Sequence, residues 1–425
     1  MDALGRAGAP LSLDRIIDGT FLFTMPLLAW FAVFGHRGAV VVAGLSALAV
    51  ALRPRIWREG LSLLAPARIF AAPLPRAAAA GLLFVAWVAA TGLWSPTPGA
   101  WKLSLGLAAV TLSGGALVFE AARASVPRVR RMAALFAGAV TVAAAALLFE
   151  GVTGGLLRSI VPPVDETLLR WKDMTALARG VTFVAPLVFP AAALLWALTG
   201  SRLFASAPIV FAALASTQFT VSANIVAIVF ALCAAAAALW RPRLALIALG
   251  ALFIISLLGA PLFALAPAEA VLGSETPLMP ASWAQRVNLW KETSDRILEG
   301  CLPAGCGADY TRAWAADAAM IAVPGSPYPL TEAPIHPHNV FLQIWLELGV
   351  IGVMTIAAAL GWGLKRLAGI EPQPLAFAAI AGAAGACYIS FMLEASLWQV
   401  WRISLLSLAA YGGALSYSIK DLRRS

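Results

Sequence analysis

An all-α polytopic membrane protein is the fold class this sequence predicts, and three observations carry it. Hydrophobic residues fill 61% of 425 positions and charged ones only 12%, against roughly 45–50% and about a quarter in soluble domains. Apolar runs long enough to cross a hydrocarbon core of roughly 30 Å recur along the chain. Basic residues gather in alternate connections between those runs, as they do on the cytoplasmic side of membrane proteins. A soluble globule of this size has too little interior for so much apolar surface, which excludes soluble enzymes, disordered tails and fibres. The net charge of +9 would suggest nucleic acid in a soluble protein. Here the basic residues report topology, and no nucleic-acid partner is expected.

The candidate spans fall near 17–34, 39–52, 77–94, 101–122, 131–150, 175–199, 203–220, 222–240, 243–265, 338–363, 375–393 and 396–418. That makes about twelve transmembrane helices, the second of them short. No signal-peptidase site follows the first span, which reads as an uncleaved anchor. One set of connections holds Arg6 and Arg15, then Arg53, Arg55, Arg58, Arg68 and Arg76, then Arg123, Arg128, Arg130 and Arg131. The same set continues with Arg202, Arg241 and Arg243 and ends with Lys365, Arg366, Lys420, Arg423 and Arg424. The alternate short connections carry little beyond Arg37 and Lys102. Both termini are therefore expected in the cytoplasm.

Two longer connections, 151–174 and 266–337, then face outward. The chain divides into helices one to nine over 1–265, with the smaller outer loop at 151–174. A large loop domain follows at 266–337, between helices nine and ten, and helices ten to twelve occupy 338–425. The large loop is acidic, with Glu269, Glu275, Glu292, Asp295, Glu299, Asp309, Asp317 and Glu332. A helix-like stretch over 282–298 sets Val287, Trp290, Ser294 and Ile297 on one face, and Pro- and Gly-rich turns come after it. Long irregular loops in compact proteins are usually functional or disordered; this one reads as folded. No internal inverted repeat of the transporter kind is visible.

The residues that could do chemistry converge on this outer side. Two of the three histidines stand in IHPHNVFLQIWLELGVIGV, where His336 and His338 meet the tenth helix. With His336 as N-cap, Pro337 takes the first helical position, where its missing N–H costs nothing. His338 and Asn339 then fall in the first turn, whose free N–H groups disfavour imidazolium and attract anions. That predicts a neutral His338, fit to serve as general base beside a phosphate; alternatively, the pair simply caps the helix. No metal is expected, because no third histidine or carboxylate accompanies the pair at ligand spacing.

Arg179, in TALARGVTFVAP, lies about one turn inside its helix, where a guanidinium must snorkel, find a partner or line a polar cavity. Arg286, in ASWAQRVNLWKETSDRIL, offers a planar fork of donors suited to a diphosphate, or is a solvated surface arginine. Arg170 and Lys172, in LLRWKDM, and Arg158 are weaker candidates of the same type. Glu347 falls in the helix after His338, and Glu394 and Arg402 flank the last outer turn; a functional or a structural pairing suits each. Cys301 and Cys306 bracket LPAG in the large loop, a spacing that can close a small disulfide loop in an oxidising compartment. Cys233 and Cys387 read as packing residues in apolar helices. No chain of carboxylates crosses the membrane, as a proton-coupled pump would want. A polysaccharide or lipid transporter would also need polar groups at mid-membrane, so the pattern favours chemistry at the outer surface.

The segment HPHNVFLQIWLELGVIGV resembles the signature of the O-antigen ligase/polymerase superfamily of membrane glycosyltransferases, a His-x-His-Asn pair running into a helix with Glu-Leu-Gly. SWAQRVNLWKETSDRILEGCLPAGCGADY is similar to the family's arginine-tryptophan segment before a glycine-rich turn, and Arg179-Gly180 matches an arginine-glycine pair. VSANIVAIV departs from the pattern, with Asn224 near the place where relatives often carry Ser-Arg. The resemblance implies an inner-membrane enzyme, its active site facing the periplasm. It implies a cofactor-free, metal-independent, inverting transfer of a glycan from undecaprenyl pyrophosphate. For an O-antigen ligase the acceptor is a sugar hydroxyl of lipid A core. For an O-antigen or exopolysaccharide polymerase it is a second lipid-linked glycan, and transfer to protein is a third possibility. Either histidine could take the acceptor proton, with His338 favoured. Arg179, Arg286, Arg170 and Asn339 would bind the pyrophosphate. The two lipids and the surrounding membrane lipids would occupy clefts between helices.

Overall fold

The structure, a computed structural model, describes residues 12–69, 71–161, 169–219, 221–274, 279–333 and 335–418. Arg6, Glu275, Lys420, Arg423 and Arg424 lie outside the described residues, as do the side chains of Arg170 and Lys172. The described chain is almost wholly helical. A small hairpin in the large loop pairs Met320–Ile321 antiparallel with Leu330–Thr331.

Every apolar stretch named from the sequence carries helix. Among the described residues, eight helices are long and apolar enough to cross a membrane, and ten spans result if each of two bent pairs counts as one. The protein is thus an all-α polytopic membrane protein, with fewer qualifying spans than the twelve expected, for local reasons. His36–Ala51 meets Pro54–Leu63 at 97°, and Met174–Val184 meets Val188–Thr199 at 52°. Pro54 and Pro186 stand at those bends, where a ring replaces a backbone donor. Arg202–Gln218 is only 17 residues long, and Val400–Ser418 is diluted by Arg402, Ser404, Ser407 and Ser416.

Contacts divide the chain into two compact units, neither a continuous stretch. The first comprises Met1–Leu61, Leu112–Thr220 and Ser404–Ser425; the second comprises Ser62–Thr111 and Val221–Ile403. The 266–337 segment belongs wholly to the second.

In the first unit, several arginines of the short connections hold helices together. Arg128, 6% exposed, reaches Asp18 at 2.7 Å and Glu120 at 3.2 Å. Arg53 reaches Glu120 at 3.0 Å and also pairs with Asp14. Buried charges are tolerated when paired in this way. Gly180 has a packing reason in the same unit: a Cβ there would lie 2.1 Å from the Ala32 carbonyl oxygen. Small residues allow such close helix approach inside membranes.

In the second unit, Phe84, Val88, Leu107, Phe341, Leu342, Leu346 and Tyr388 form one continuous apolar core. Its central element is Val340–Ala368, a helix interrupted at Gly349, where φ is 61° and ψ is −164°. Only glycine adopts that conformation readily. The break frees backbone groups, and tertiary partners satisfy them. The Leu346 carbonyl accepts from Cys306 N at 2.8 Å, the Glu347 carbonyl from Gly307 N at 3.1 Å, and Val350 N donates to the Leu302 carbonyl at 3.0 Å. The Leu348 carbonyl accepts from Trp87 Nε1 at 2.7 Å. The inserted loop is closed by a Cys301–Cys306 disulfide, the pairing the sequence allowed. Arg286 rides on the helix Ala281–Arg296, which buries Trp290 and Ser294 and continues as a π turn over Ile297–Cys301. The apolar face read over 282–298 is therefore the packed face.

Candidate active site

The histidine pair occupies the entry to the broken helix. Pro337 disfavours helical backbone at the residue before it, and its carbonyl accepts from Trp290 Nε1 at 3.1 Å. His338 follows with φ at 53°, a left-handed conformation costing an L-residue roughly 1–2 kcal/mol. Asn339 then caps the helix, its Oδ1 accepting from Phe341 N at 3.0 Å and Leu342 N at 3.2 Å. This corrects the sequence reading, which capped the helix with His336 and placed His338 in the first turn. A short amide oxygen reaches the second and third helical N–H groups well, and the αL residue before it turns the chain into the helix. Those two N–H groups are consequently not offered to an anion. Asn339 is fully buried, with Nδ2 facing Met392 Sδ at 3.7 Å, and its Oδ1 serves as the helix cap.

The turn at His338 brings the two imidazoles together, with ring centroids 4.3 Å apart. His336 Nδ1 accepts from His338 N at 3.3 Å, and its Nε2 lies 3.4 Å from the Gln399 amide. The His338 ring makes a backbone hydrogen bond with Glu394, while its Nδ1 is buried without a partner. A carbonyl only accepts, so a proton on the nitrogen facing Glu394 would leave Nδ1 with its lone pair. Burial pushes the His338 pKa well below the ordinary imidazole value; the charges of His336, Arg286 and Arg402 push the same way. The neutral ring expected from sequence therefore has a different cause: first desolvation, then the neighbouring His336, Arg286 and Arg402, not a helix dipole.

Arg286 is half-buried above Trp283, 5.8 Å from its ring. Nη1 donates to the Ser282 carbonyl at 3.1 Å, and Nε is buried without a partner. Burial lowers its pKa, and Glu394 partly offsets this; a guanidinium nevertheless stays charged. The structure thus brings His336, His338 and Arg286 within electrostatic reach of one another. Arg402 joins them. It is 7% exposed, bonds the Ser390 hydroxyl and approaches Glu394 Oε2 at 3.5 Å. Sequence reading places Glu394 and Arg402 at the last outer turn without assigning them a role, and it misses Gln399. The signal is present as three polar residues grouped at one turn between apolar helices.

The remaining candidates belong each to its own unit. Arg179 lies in the first unit, exposed on Leu169–Val184. Arg158, also in that unit, is spent on the Phe34 carbonyl at 2.7 Å. In the second unit Asn224 is buried, and Trp283 Nε1 donates to Ser222 at 3.1 Å. Among the described residues, no three His, Cys, Asp or Glu side chains gather as a metal site.

Fold and site together define a polytopic membrane protein that holds a neutral histidine among arginines where a large connecting segment meets its helices. Residues 187–357 match the model of the family described as O-antigen ligase, so that segment of the chain is similar to the O-antigen ligase family. A provisionally named polysaccharide ligase of Rickettsia conorii is 34% identical over 128 residues, 29% of each chain. Similarly named proteins of Rickettsia bellii and Rickettsia felis are 31% identical over 130 residues and 35% over 75 residues, covering 29% and 17% of each chain. The matches thus span less than a third of the length of these curated relatives.

Proposed function

We propose that the protein is an O-antigen ligase of the bacterial inner membrane. On this reading it moves a glycan from undecaprenyl pyrophosphate to a sugar hydroxyl of lipid A core on the periplasmic face. His338 Nδ1 takes the acceptor proton as the hydroxyl oxygen attacks the anomeric carbon. The bond from that carbon to the pyrophosphate oxygen breaks from the opposite side, and its electron pair stays on the pyrophosphate. One displacement at one carbon inverts its configuration. Arg286 and Arg402 would offset the charge that develops on the leaving group, and no metal is needed for that step. The role implied for Arg179 rests on sequence resemblance alone. So does Arg170's.

The observation that carries the reading is the partnerless Nδ1 of His338, on a strained backbone, beside the partnerless Nε of Arg286. Buried polar atoms are normally satisfied, and exceptions of this kind cluster where a substrate completes the bonding. The names of the relatives add support for a ligase over a polymerase. The test is a gel of lipopolysaccharide from a deletion strain, complemented with wild type or His338→Ala, beside the undecaprenyl-linked pool. A ligase predicts core without O-antigen and long polymer accumulating on the carrier, restored by wild type only. Core carrying a single repeat, with no long polymer on either lipid, would make the protein a polymerase. Full restoration by His338→Ala would remove the general base.

A further inference from the structure

Glu347 is a fully buried carboxylate, two residues before the helix break at Gly349. Its Oε2 accepts from Asp309 N at 2.7 Å and Trp398 Nε1 at 2.6 Å. Oε1 accepts from Thr311 Oγ1 at 2.8 Å, Gln343 Nε2 at 3.1 Å and, more distantly, Thr311 N at 3.4 Å. These donors come from separate segments: the glycine-rich turn of the large loop, the broken helix, and the turn at 394–402. Gln343 extends the linkage, since its Oε1 accepts from Leu397 N at 2.8 Å. The same 394–402 turn presents Glu394 and Arg402 to His338 and Gln399 to His336, with Arg402 approaching Glu394 Oε2 at 3.5 Å.

We propose that Glu347 is a positioning residue that fixes the 394–402 turn against the histidine pair, setting the tautomer and orientation of His338. This assignment rests on the ligase reading of the site for its kinetic consequence. Its geometric content does not depend on that reading. A carboxylate suits the position because every partner presents a donor and both carboxylate oxygens accept. In Glu347→Gln one oxygen becomes an NH2 group. Placed at Oε2, it faces two N–H donors that have no alternative there. Placed at Oε1, it can find an acceptor only if the Thr311 hydroxyl turns, and the Gln343 amide still opposes it. Trp398→Phe removes a single donor and leaves the carboxylate in place.

Two measurements on the full chain in membranes test this. In a transfer assay, Glu347→Gln should lower kcat on the order of 10- to 100-fold, the usual consequence of a catalytic group displaced by about 1 Å, with KM for the acceptor nearly unchanged. The loss should be non-additive with that of Gln399→Ala, because both would act through one turn. Independently, carbethoxylation by diethyl pyrocarbonate, read peptide by peptide, should accelerate several-fold at His336 and His338 in both Glu347→Gln and Trp398→Phe. His36 serves as the internal reference and should not change. Wild-type labelling rates in both variants would overturn the proposal, even if kcat fell. A wild-type protein that transfers no lipid-linked glycan would defeat the ligase reading, and labelling would still decide the role of Glu347.

Discussion

Replacing Gly349 by alanine tests how the broken helix supports the site. The residue sits at φ 61° and ψ −164°, a region costing a side-chain-bearing residue about 1–3 kcal/mol. A Cβ at this position would also lie 2.4 Å from Gly305 N and 2.7 Å from the Pro303 carbonyl oxygen. Both are backbone atoms, so no side-chain rotation relieves the clash; the disulfide-closed loop must move as a body. That movement endangers the bonds from Cys306 N, Gly307 N and Val350 N across the joint, each contributing roughly 1 kcal/mol net. The sum is about 4–6 kcal/mol, comparable with the whole stability of many domains. Gly361 lies in the same helix, and a Cβ added there would meet nothing within 4 Å, so alanine should be neutral or stabilise by up to about 1 kcal/mol. Thermal unfolding of the detergent-solubilised protein, followed by size-exclusion recovery, compares the two. Gly349→Ala should lose monodisperse protein at a markedly lower temperature and Gly361→Ala should not. Equal behaviour would refute the claim that the break is held open by the docked loop.

Two further outcomes follow from the ligase reading. Arg286→Lys keeps the charge and loses the fork; forfeiting one charge-assisted bond, about 1.5–3 kcal/mol, should lower kcat/KM roughly 10- to 150-fold, and wild-type turnover would remove Arg286 from the site. Because the native His338 pKa is depressed, kcat/KM should hold as pH falls through the ordinary imidazole range near 6.5 and decline only below it. Arg286→Ala removes one cause of the depression, so the acid limb of its remaining activity should move to higher pH; an unchanged limb would deny His338 the role of base. The linked stability runs in the same direction. Below about pH 6.5 the unfolded imidazole binds a proton that the native one refuses, so that stability is present above the unfolded pKa and is lost as pH falls towards the native one.

The helices are legible in the sequence because apolar runs and their polar boundaries are local properties, and so is the packed face of 282–298. The His-x-His-Asn pattern and Arg286 are legible as candidates because few polar residues compete with them in so apolar a chain. Three features are not legible. Gly349 stands in ELGVIGV, which reads as uninterrupted helix; its positive φ exists only because the Cys301–Cys306 loop, more than forty residues earlier, docks into it. The cap is ambiguous because His336, Pro337, His338 and Asn339 offer several registers, and the αL turn at His338 selects Asn339. Glu347 can be noticed as an ionisable group in a helix, but its donors come from 309–311 and 398 and cannot be paired by spacing.

The electrostatics of the site resolve an apparent conflict in the ligase reading. A general base works best when its proton affinity is high enough to accept, yet His338 is surrounded by burial and cations that depress it. The same Arg286 and Arg402 charges would be offset by a bound diphosphate, whose negative charge acts on His338 in the opposite sense. Base strength would then rise only after the donor has seated, while an empty site keeps the imidazole neutral and its Nδ1 lone pair available. The arrangement ties proton removal to donor occupancy through charge alone, without a conformational switch. It also explains why the cluster places two arginines near a histidine: they would serve the leaving group directly and set the base through its absence or presence.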